Sequence, residues 1–392
     1  MNRDLYIDFA KGLATLSIIF IHTAFWSGQF YIIPEIRVFS LVFDVAIFYA
    51  LSGITSGNNI EKTLYRLLKL QITYMIFVTL LFFLDYFFKI FGLTFFSLEW
   101  LQSFYSTFGS KYSATSISTA PQWQNLGNWY LHEYRNADTF PVVMGSFWYL
   151  KVYFILTVFG VLILKFFPKH VNWFIGICVA LTLLFNIFPE IYPSGQVGYV
   201  AFYMTIFLVA NRIKGKKVQL GFVIFLYAIF FVFFGIKFLN YLSSISFSSI
   251  FSLNYDFSIL IKAFWNVFLD FINSMLLNKS KFPPRAPYII WTFFSLATLF
   301  FFYNRLKITK ENFVTYIGKN AIFFYFGQGI SSSLVYFLVV PMKELMPWWV
   351  LMVIIYVINV ALAFIIATGL KKFDDFGWKI LEFLRKKTAA QN

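Results

Sequence analysis

The first apolar run, IDFAKGLATLSIIFIH (residues 7–22), carries three ionisable side chains: Asp8, Lys11 and His22. Polar groups at membrane depth are expensive, so each is a functional hypothesis by default. Lys11 and His22 stand eleven residues apart. On an α-helix that is about three turns, roughly 16 Å, and a return to within about 20° of the starting direction. Both therefore line one stripe, with Asp8 beside Lys11 at the i,i+3 spacing. An imidazole takes and returns protons near neutral pH, which suits a general base or a nucleophile. A cation one helix-length below it suits the anionic end of a substrate. The plainer alternative is an interfacial histidine satisfied by a backbone carbonyl. Asp44 is a second membrane carboxylate, expected to pair with Lys11 or with an arginine. Asp85 is expected near the outer end of its span. Ser52-Gly53 and Gly57 mark a close helix contact or a break.

Other chemistries lack their residues. There is no Ser/His/Asp order, no glycine-rich phosphate loop and no CxxC pair, which argues against a hydrolase, an ATPase pump or a redox protein. A metal site is not expected, because His132 and His170 fall on opposite sides of the membrane in the topology below and lack ligand-spaced partners. The single cysteine, Cys178, excludes an intrachain disulfide framework.

The elements that position these residues are dictated by composition. The chain is 60% hydrophobic and 12% charged, with a mean hydropathy of +0.72; a soluble domain carries about twice that charge. Long uncharged runs such as 349–370 match the roughly 20 residues a bilayer crossing needs. Contiguous apolar runs fit helices, not the alternating pattern of a membrane β-barrel. The expected fold is all-α, a polytopic integral membrane bundle. Its candidate spans are 6–26, 36–57, 69–91, 147–167, 171–188, 197–211, 218–240, 288–304, 318–340 and 348–370. The first is read as a retained span, since it lacks a small-x-small cleavage site.

The net charge of +15 sits in short clusters between these runs: Lys62/Arg66/Lys69, Lys165/Lys169, Arg212/Lys214/Lys216/Lys217, Arg305/Lys307/Lys310, Lys371/Lys372 and Arg385/Lys386/Lys387. That is the pattern of cytoplasmic loops, not of a nucleic-acid-binding surface. With ten spans every cluster, and both termini, fall on the cytoplasmic side. The count holds if 259–277 does not cross. Lys262, Asn266, Asp270 and Asn273 recur there about every fourth residue, as in an interfacial or re-entrant amphipathic helix. Residues 1–375 then form one transmembrane domain, with 376–392 a basic cytoplasmic tail and 241–287 an outer excursion. Residues 94–146 form a long outer loop between spans 3 and 4, too long for a connector. It holds Trp100, Trp123, Trp129, Tyr105, Tyr112, Tyr130 and Tyr134 among Gln102, Gln122, Gln124, Asn125, Asn128 and Asn136. Aromatic faces with amide side chains suit sugar rings; an interfacial aromatic belt capping the bundle fits equally.

Six segments, in order, resemble the membrane acyltransferase-3 family. IDFAKGLATLSIIFIH is similar to its first-span signature, an acidic residue, then Arg or Lys, then histidine eleven positions later. FDVAIFYALSG (43–53), YRLLKLQITY (65–74), SFWYLKVYF (146–154), FYMTIFLVANRI (202–213) and IGKNAIFFYFGQG (317–329) resemble its later segments. Lys11 stands where arginine is commoner, Gln328 where histidine is frequent, and Arg66-x-x-Lys69 replaces an arginine pair.

The resemblance implies ten core helices and an O-acyltransferase. An acyl group, most often acetyl, would pass from cytoplasmic acetyl-CoA to a hydroxyl of an extracytoplasmic or lipid-linked sugar or polysaccharide. It implies His22 as the catalytic residue and Lys11, Arg66 and Lys69 as donor-binding residues, with Asp8, Asp44 and Gln328 supporting. Trp148 and Tyr149, at the outer mouth of the fourth span, and Trp129 in the loop are the expected acceptor-binding residues. No bound cofactor is expected; acyl-CoA is a substrate, and the partners are the glycan acceptor and membrane lipids. The implied location is a bacterial cytoplasmic membrane, and Phe, Ile, Lys and Asn richness fits an AT-rich bacterial genome. Direct transfer and an acyl-histidine intermediate both remain open. So do two other classes: a polysaccharide exporter or polymerase, and an inactive scaffold on the same fold.

Overall fold

The computed structural model describes residues 4–100, 121–132, 140–193, 198–244, 264–270, 281, 283–303 and 305–389. Among them helix dominates and no strand occurs, so the chain is all-α. The principal helices are α1 (Leu5–Phe25), α2 (Ala46–Thr55), α3 (Ile60–Phe95), α4 (Trp148–Phe166), α5 (Val171–Ile187), α6 (Val200–Arg212), α7 (Leu220–Ser244), α8 (Ala286–Phe302), α9 (Ala321–Leu334) and α10 (Trp348–Ala389). Each coincides with one of the ten expected spans. Five apolar stretches, built on α1, α3, α4, α9 and α10, are long enough to cross a bilayer, and five shorter apolar helices accompany them.

The backbone divides into two units. Unit 1 comprises residues 1–58 and 159–319. Within it, α2 packs on α6, α7 on α8, and α1 on a short helix, Phe313–Lys319. Unit 2 comprises residues 59–158 and 320–392, where α9 packs on α10 and the helix Trp123–Tyr130 packs on α3. The boundary falls between α2 and α3, inside α4, and at the break between Lys319 and Ala321.

The second span is interrupted. In the second span, Pro34–Phe39 is followed by a 3-10 turn, Ser40–Phe43, and helix resumes at Ala46. Between them, the Asp44 carboxylate accepts the Val45 N–H at 2.6 Å. A short acidic side chain that bonds its neighbour's backbone competes with the helical ladder and interrupts it. The far end of α2 is closed by side chains: the Asn211 amide donates to the Gly53 and Ser56 carbonyls at 2.9 and 3.1 Å, and Lys214 donates to Ser56 at 2.8 Å. These satisfy the orphan carbonyls of a helix end and place a cation at its negative pole. Gly53 is the close contact expected of Ser52-Gly53, since a Cβ there would collide with the Phe207 carbonyl of α6.

The helix Phe313–Lys319 starts at a reciprocal cap. Asn312 Oδ1 accepts the Thr315 N–H at 2.9 Å, and Thr315 Oγ1 accepts the Asn312 N–H at 2.6 Å, the two-way arrangement of a capping box.

One segment differs from the sequence expectation in extent. Helix α10 runs on through residue 376 to Ala389, so the basic tail begins as a continuation of the last span. Of the 259–277 helix, residues 264–270 are helical; Lys262 and Asn273 lie outside the described residues, as do Tyr105, Tyr112, Tyr134, Gln102 and Asn136.

Candidate active site

In unit 1 the site begins with the anchoring of α1. Asp4 caps it, accepting the Tyr6 N–H at 3.0 Å, and the Tyr6 hydroxyl donates to the Leu299 carbonyl at 2.9 Å. One turn on, two glycines let backbones touch. A Cβ on Gly12 would overlap the Val314 carbonyl, and one on Gly318 would overlap the Asp8 carbonyl and approach the Gly12 nitrogen. Small residues permit such crossings in membranes. This one lies at Asp8 and Lys11, and fixes the depth and rotation of α1. Asp8 is buried, while Lys11 and His22 are half-buried. α1 is unbroken from Leu5 to Phe25, the condition on which the shared stripe of Lys11 and His22 depends. His22 lies at its last turn, where the Trp26 N–H donates to the His22 carbonyl at 3.1 Å. At the opposite end an open cavity of about 410 Å³ is lined by Asp4, Leu5, Tyr6, Leu306, Lys307, Ile308 and Thr309.

Asp44 has a different partner from those expected. Its carboxylate pairs with Lys281 at 2.7 Å, both side chains being nearly buried. It also accepts the Tyr288 hydroxyl at 2.8 Å, and Tyr288 lies 3.2 Å from the Tyr203 hydroxyl. Lys281 belongs to the segment expected as the 241–287 outer excursion, and is neither Lys11 nor an arginine.

In unit 2 Arg66 and Lys69 are exposed on the first turns of α3, one turn apart. The Lys69 ammonium lies 5.1 Å from the Trp378 ring centroid, and Thr73 donates to Asp374 at 2.7 Å, so α10 braces this end of α3. Gln328 is fully buried; its amide donates to the Tyr325 carbonyl at 3.2 Å. Tyr149 packs edge-on against Tyr325, with centroids 5.7 Å apart, and Trp148 is half-buried beside it. Trp129 is buried, its ring edge-on to Phe82 at 5.9 Å.

Trp129 belongs to the segment expected as the 94–146 outer loop. Residues 121–132 run antiparallel along α3. The Gln122 N–H donates to the Tyr86 hydroxyl at 2.6 Å, the Tyr130 and Thr79 hydroxyls meet at 2.6 Å, and the Gln71 amide donates to the Tyr130 carbonyl at 3.1 Å. Tyr74 donates to the Trp129 carbonyl. From Tyr86 to Gln71 is fifteen helical residues, roughly 22 Å along α3. Phe140 is back beside Phe88, at 5.7 Å. The segment doubles back along α3, and His132 is the described residue of it that reaches furthest toward the start of that helix.

His132 closes the helix Trp123–Tyr130 in a left-handed conformation, φ 61. That conformation costs a non-glycine residue about 1–3 kcal/mol, and side-chain contacts offset it. The ring stacks on Tyr74 at 4.2 Å and 4°, meets Phe154 edge-on at 5.6 Å, and bonds Gln71 Oε1 through Nε2 at 2.9 Å. Nδ1 is buried with no hydrogen bond among the described residues. His132 lies outside the ten spans; burial first, then the Lys151 charge, push its pKa down to about 4. Sequence reasoning considered this residue solely as a metal ligand. Among the described residues no group of His, Cys, Asp or Glu could hold a metal ion.

A family model described as an acyltransferase domain, acyltransferase 3, matches residues 4–368, nearly the whole chain. The chain belongs to the acyltransferase-3 family. No curated protein and no solved structure matches it significantly. The acyltransferase match covers both units, and so includes Lys11 and His22 in the first and Arg66, Lys69 and Gln328 in the second. As a membrane acyltransferase the protein needs a donor site, an acceptor site and a group that handles the acceptor proton. The residues expected for these tasks are divided between the units: the histidine stripe in unit 1, and the exposed cation pair with the 121–132 segment in unit 2.

Proposed function

We propose that this acyltransferase moves an acyl group, acetyl first among them, from cytoplasmic acyl-CoA to a hydroxyl of an extracytoplasmic or lipid-linked sugar. The observation that carries the reading is the Lys11–His22 stripe on an unbroken α1, held in register by the Gly12–Gly318 crossing. Lys11, Arg66 and Lys69 would hold the donor's phosphates as point charges and one guanidinium fork. The cavity at the start of α1, with Lys307 on its wall, would admit an anionic donor. Trp148, Tyr149 and the aromatic-rich 94–146 segment would face the acceptor.

In the reaction, His22 takes the proton of the acceptor hydroxyl as its oxygen attacks the thioester carbonyl. The C–S bond breaks, the acyl–oxygen bond stays, and the thiolate leaves with the proton returned by His22. In the two-step route the imidazole attacks first and carries the acyl group itself. Rapid quenching in the absence of acceptor distinguishes them, since an acylated His22 accumulates in the second alone. The setting for this chemistry is the cytoplasmic membrane of a bacterium, with both termini on the cytoplasmic face.

The test is mass spectrometry of cell glycans, with thiol release from acetyl-CoA by purified protein beside it. His22→Ala should abolish both, a loss of 10²-fold or more for a proton-transfer group, at unchanged expression and thermal stability. Acyl transfer retained by folded His22→Ala protein would end this mechanism.

A further inference from the structure

The second half of α3 buries an ion pair that the reaction above leaves unused. Asp85 and Lys89, one turn apart, are 2% and 6% exposed, and the ammonium lies 2.7 Å from Asp85 Oδ2. The other carboxylate oxygen, Oδ1, is buried with no hydrogen bond among the described residues. The ammonium carries three N–H groups, of which the pair occupies one; the Tyr86 ring lies 5.7 Å from it. Taking two charges out of water is repaid only when further hydrogen bonds meet their remaining lone pairs and protons. At Oδ1 that requirement is unmet, and a buried acceptor of this kind calls for a donor.

The flanks of the pair and its charge define the occupant. Successive helical residues are turned by about 100°, so Phe82 and Tyr86 lie on one side of the Asp85–Lys89 line and Phe88 on the other. On the first side the Trp123 ring packs on Phe82 at 5.6 Å, and the Gln122 N–H donates to the Tyr86 hydroxyl. On the second side Phe140 meets Phe88 at 5.7 Å. Both limbs of the 94–146 segment therefore flank the pair, the one entering the Trp123–Tyr130 helix and the one returning toward α4. A pair of zero net charge favours neither an anion nor a cation. A carboxylate oxygen beside ammonium N–H groups matches hydroxyls, which donate to the first and accept from the second. The aromatic rings on the flanks suit the C–H face of a sugar.

We propose that Asp85 and Lys89 form an acceptor-binding site, where one sugar hydroxyl donates to Asp85 Oδ1 and a hydroxyl of the same ring accepts from the Lys89 ammonium. This rests on the sugar-acceptor reading above. It adds a polar pair to the aromatic residues expected at the acceptor, and the pair selects which hydroxyls the ring presents.

Two double variants separate ligand binding from packing. Asp85→Leu/Lys89→Met replaces the charges with apolar groups of similar volume, an exchange that a purely structural buried ion pair tolerates. Asp85→Asn/Lys89→Gln keeps polar groups at both positions. Thiol release from acetyl-CoA by detergent-purified protein is followed against increasing polysaccharide, extracted from the cells whose glycans carry the acyl group. Coenzyme A affinity and thermal unfolding are measured on the same samples. The expected result for the apolar variant is an acceptor KM raised roughly tenfold or more, the loss of at least one charge-assisted hydrogen bond, at wild-type coenzyme A affinity and stability. The polar variant should fall between it and wild type. A wild-type acceptor KM in the folded apolar variant overturns the proposal and leaves a structural, hydrated ion pair. A raised KM accompanied by comparable losses of coenzyme A affinity and of stability also overturns it. If the apolar variant does not fold, the polar variant decides, and a wild-type KM there overturns the proposal. Wild-type protein that releases thiol yet acylates no glycan ends the sugar-acceptor reading itself, and this proposal with it.

Discussion

At the scale of single residues, charge burial sets the strongest constraint. Asp44 and Lys281 are each nearly buried and 2.7 Å apart, and removing one partner strands the other's charge. Lys281→Met should therefore destabilise the protein by about 3–5 kcal/mol. The double variant Asp44→Asn/Lys281→Met should recover a large part of that loss, as seen in thermal unfolding of the purified proteins. Additive losses would show that the ion pair is not coupled. The carboxylate itself was legible in the sequence as a membrane-depth acid; its partner was not. The expected partners were Lys11 or an arginine, whereas Lys281 comes from the 241–287 excursion and Tyr288, the second donor, lies 244 residues from Asp44. His132 followed the same course: its residue type was visible, and its depth against α3 was not.

At the scale of elements, the position of α1 is decided by two absent side chains. A methyl group on Gly318 would meet the Asp8 carbonyl and the Gly12 nitrogen, all backbone atoms that cannot rotate aside. Gly318→Ala should therefore push α1 off the Phe313–Lys319 helix, costing about 1–3 kcal/mol by overpacking. It should also lower transfer activity by more than its stability loss accounts for, because Lys11 and His22 move together with α1. The check is thiol release measured well below the unfolding temperature. Unchanged activity in a stably folded Gly318→Ala protein would show that the crossing does not set the register of the stripe. Gly12 and Gly318 fall within the family-like segments, yet spacing alone does not say which helix a glycine faces. The break at Asp44 was missed for a related reason. Apolar periodicity passes smoothly through 36–57, and an ion pair formed from far along the chain stabilises the interruption.

At the scale of the whole molecule, topology follows from the number of crossings. Ten crossings would return the chain to its starting side and set the basic clusters on one face; five of the described helices are long enough to cross and five are shorter. The lone cysteine makes this simple to test. In a Cys178→Ala background, a cysteine at Ser248 should react with a membrane-impermeant maleimide in intact cells. A cysteine at Lys169 or Gln391 should react after the membrane is opened. Labelling of position 391 in intact cells would require an odd number of crossings and would move the C-terminal basic cluster outside.

The sequence by itself determined the fold class, the ten apolar segments and the family, because transfer of a side chain from water to lipid is a local quantity that adds up over about 20 residues. It also determined that Lys11 and His22 share a face, since helix periodicity needs no tertiary information once the helix is unbroken. The tertiary structure alone decided which cation neutralises Asp44, which backbone α1 rests on, and how deep residues 121–132 descend along α3. Those outcomes depend on contacts between residues distant in the chain, where the free energy of a buried polar group is set by what meets it and not by its neighbours in sequence.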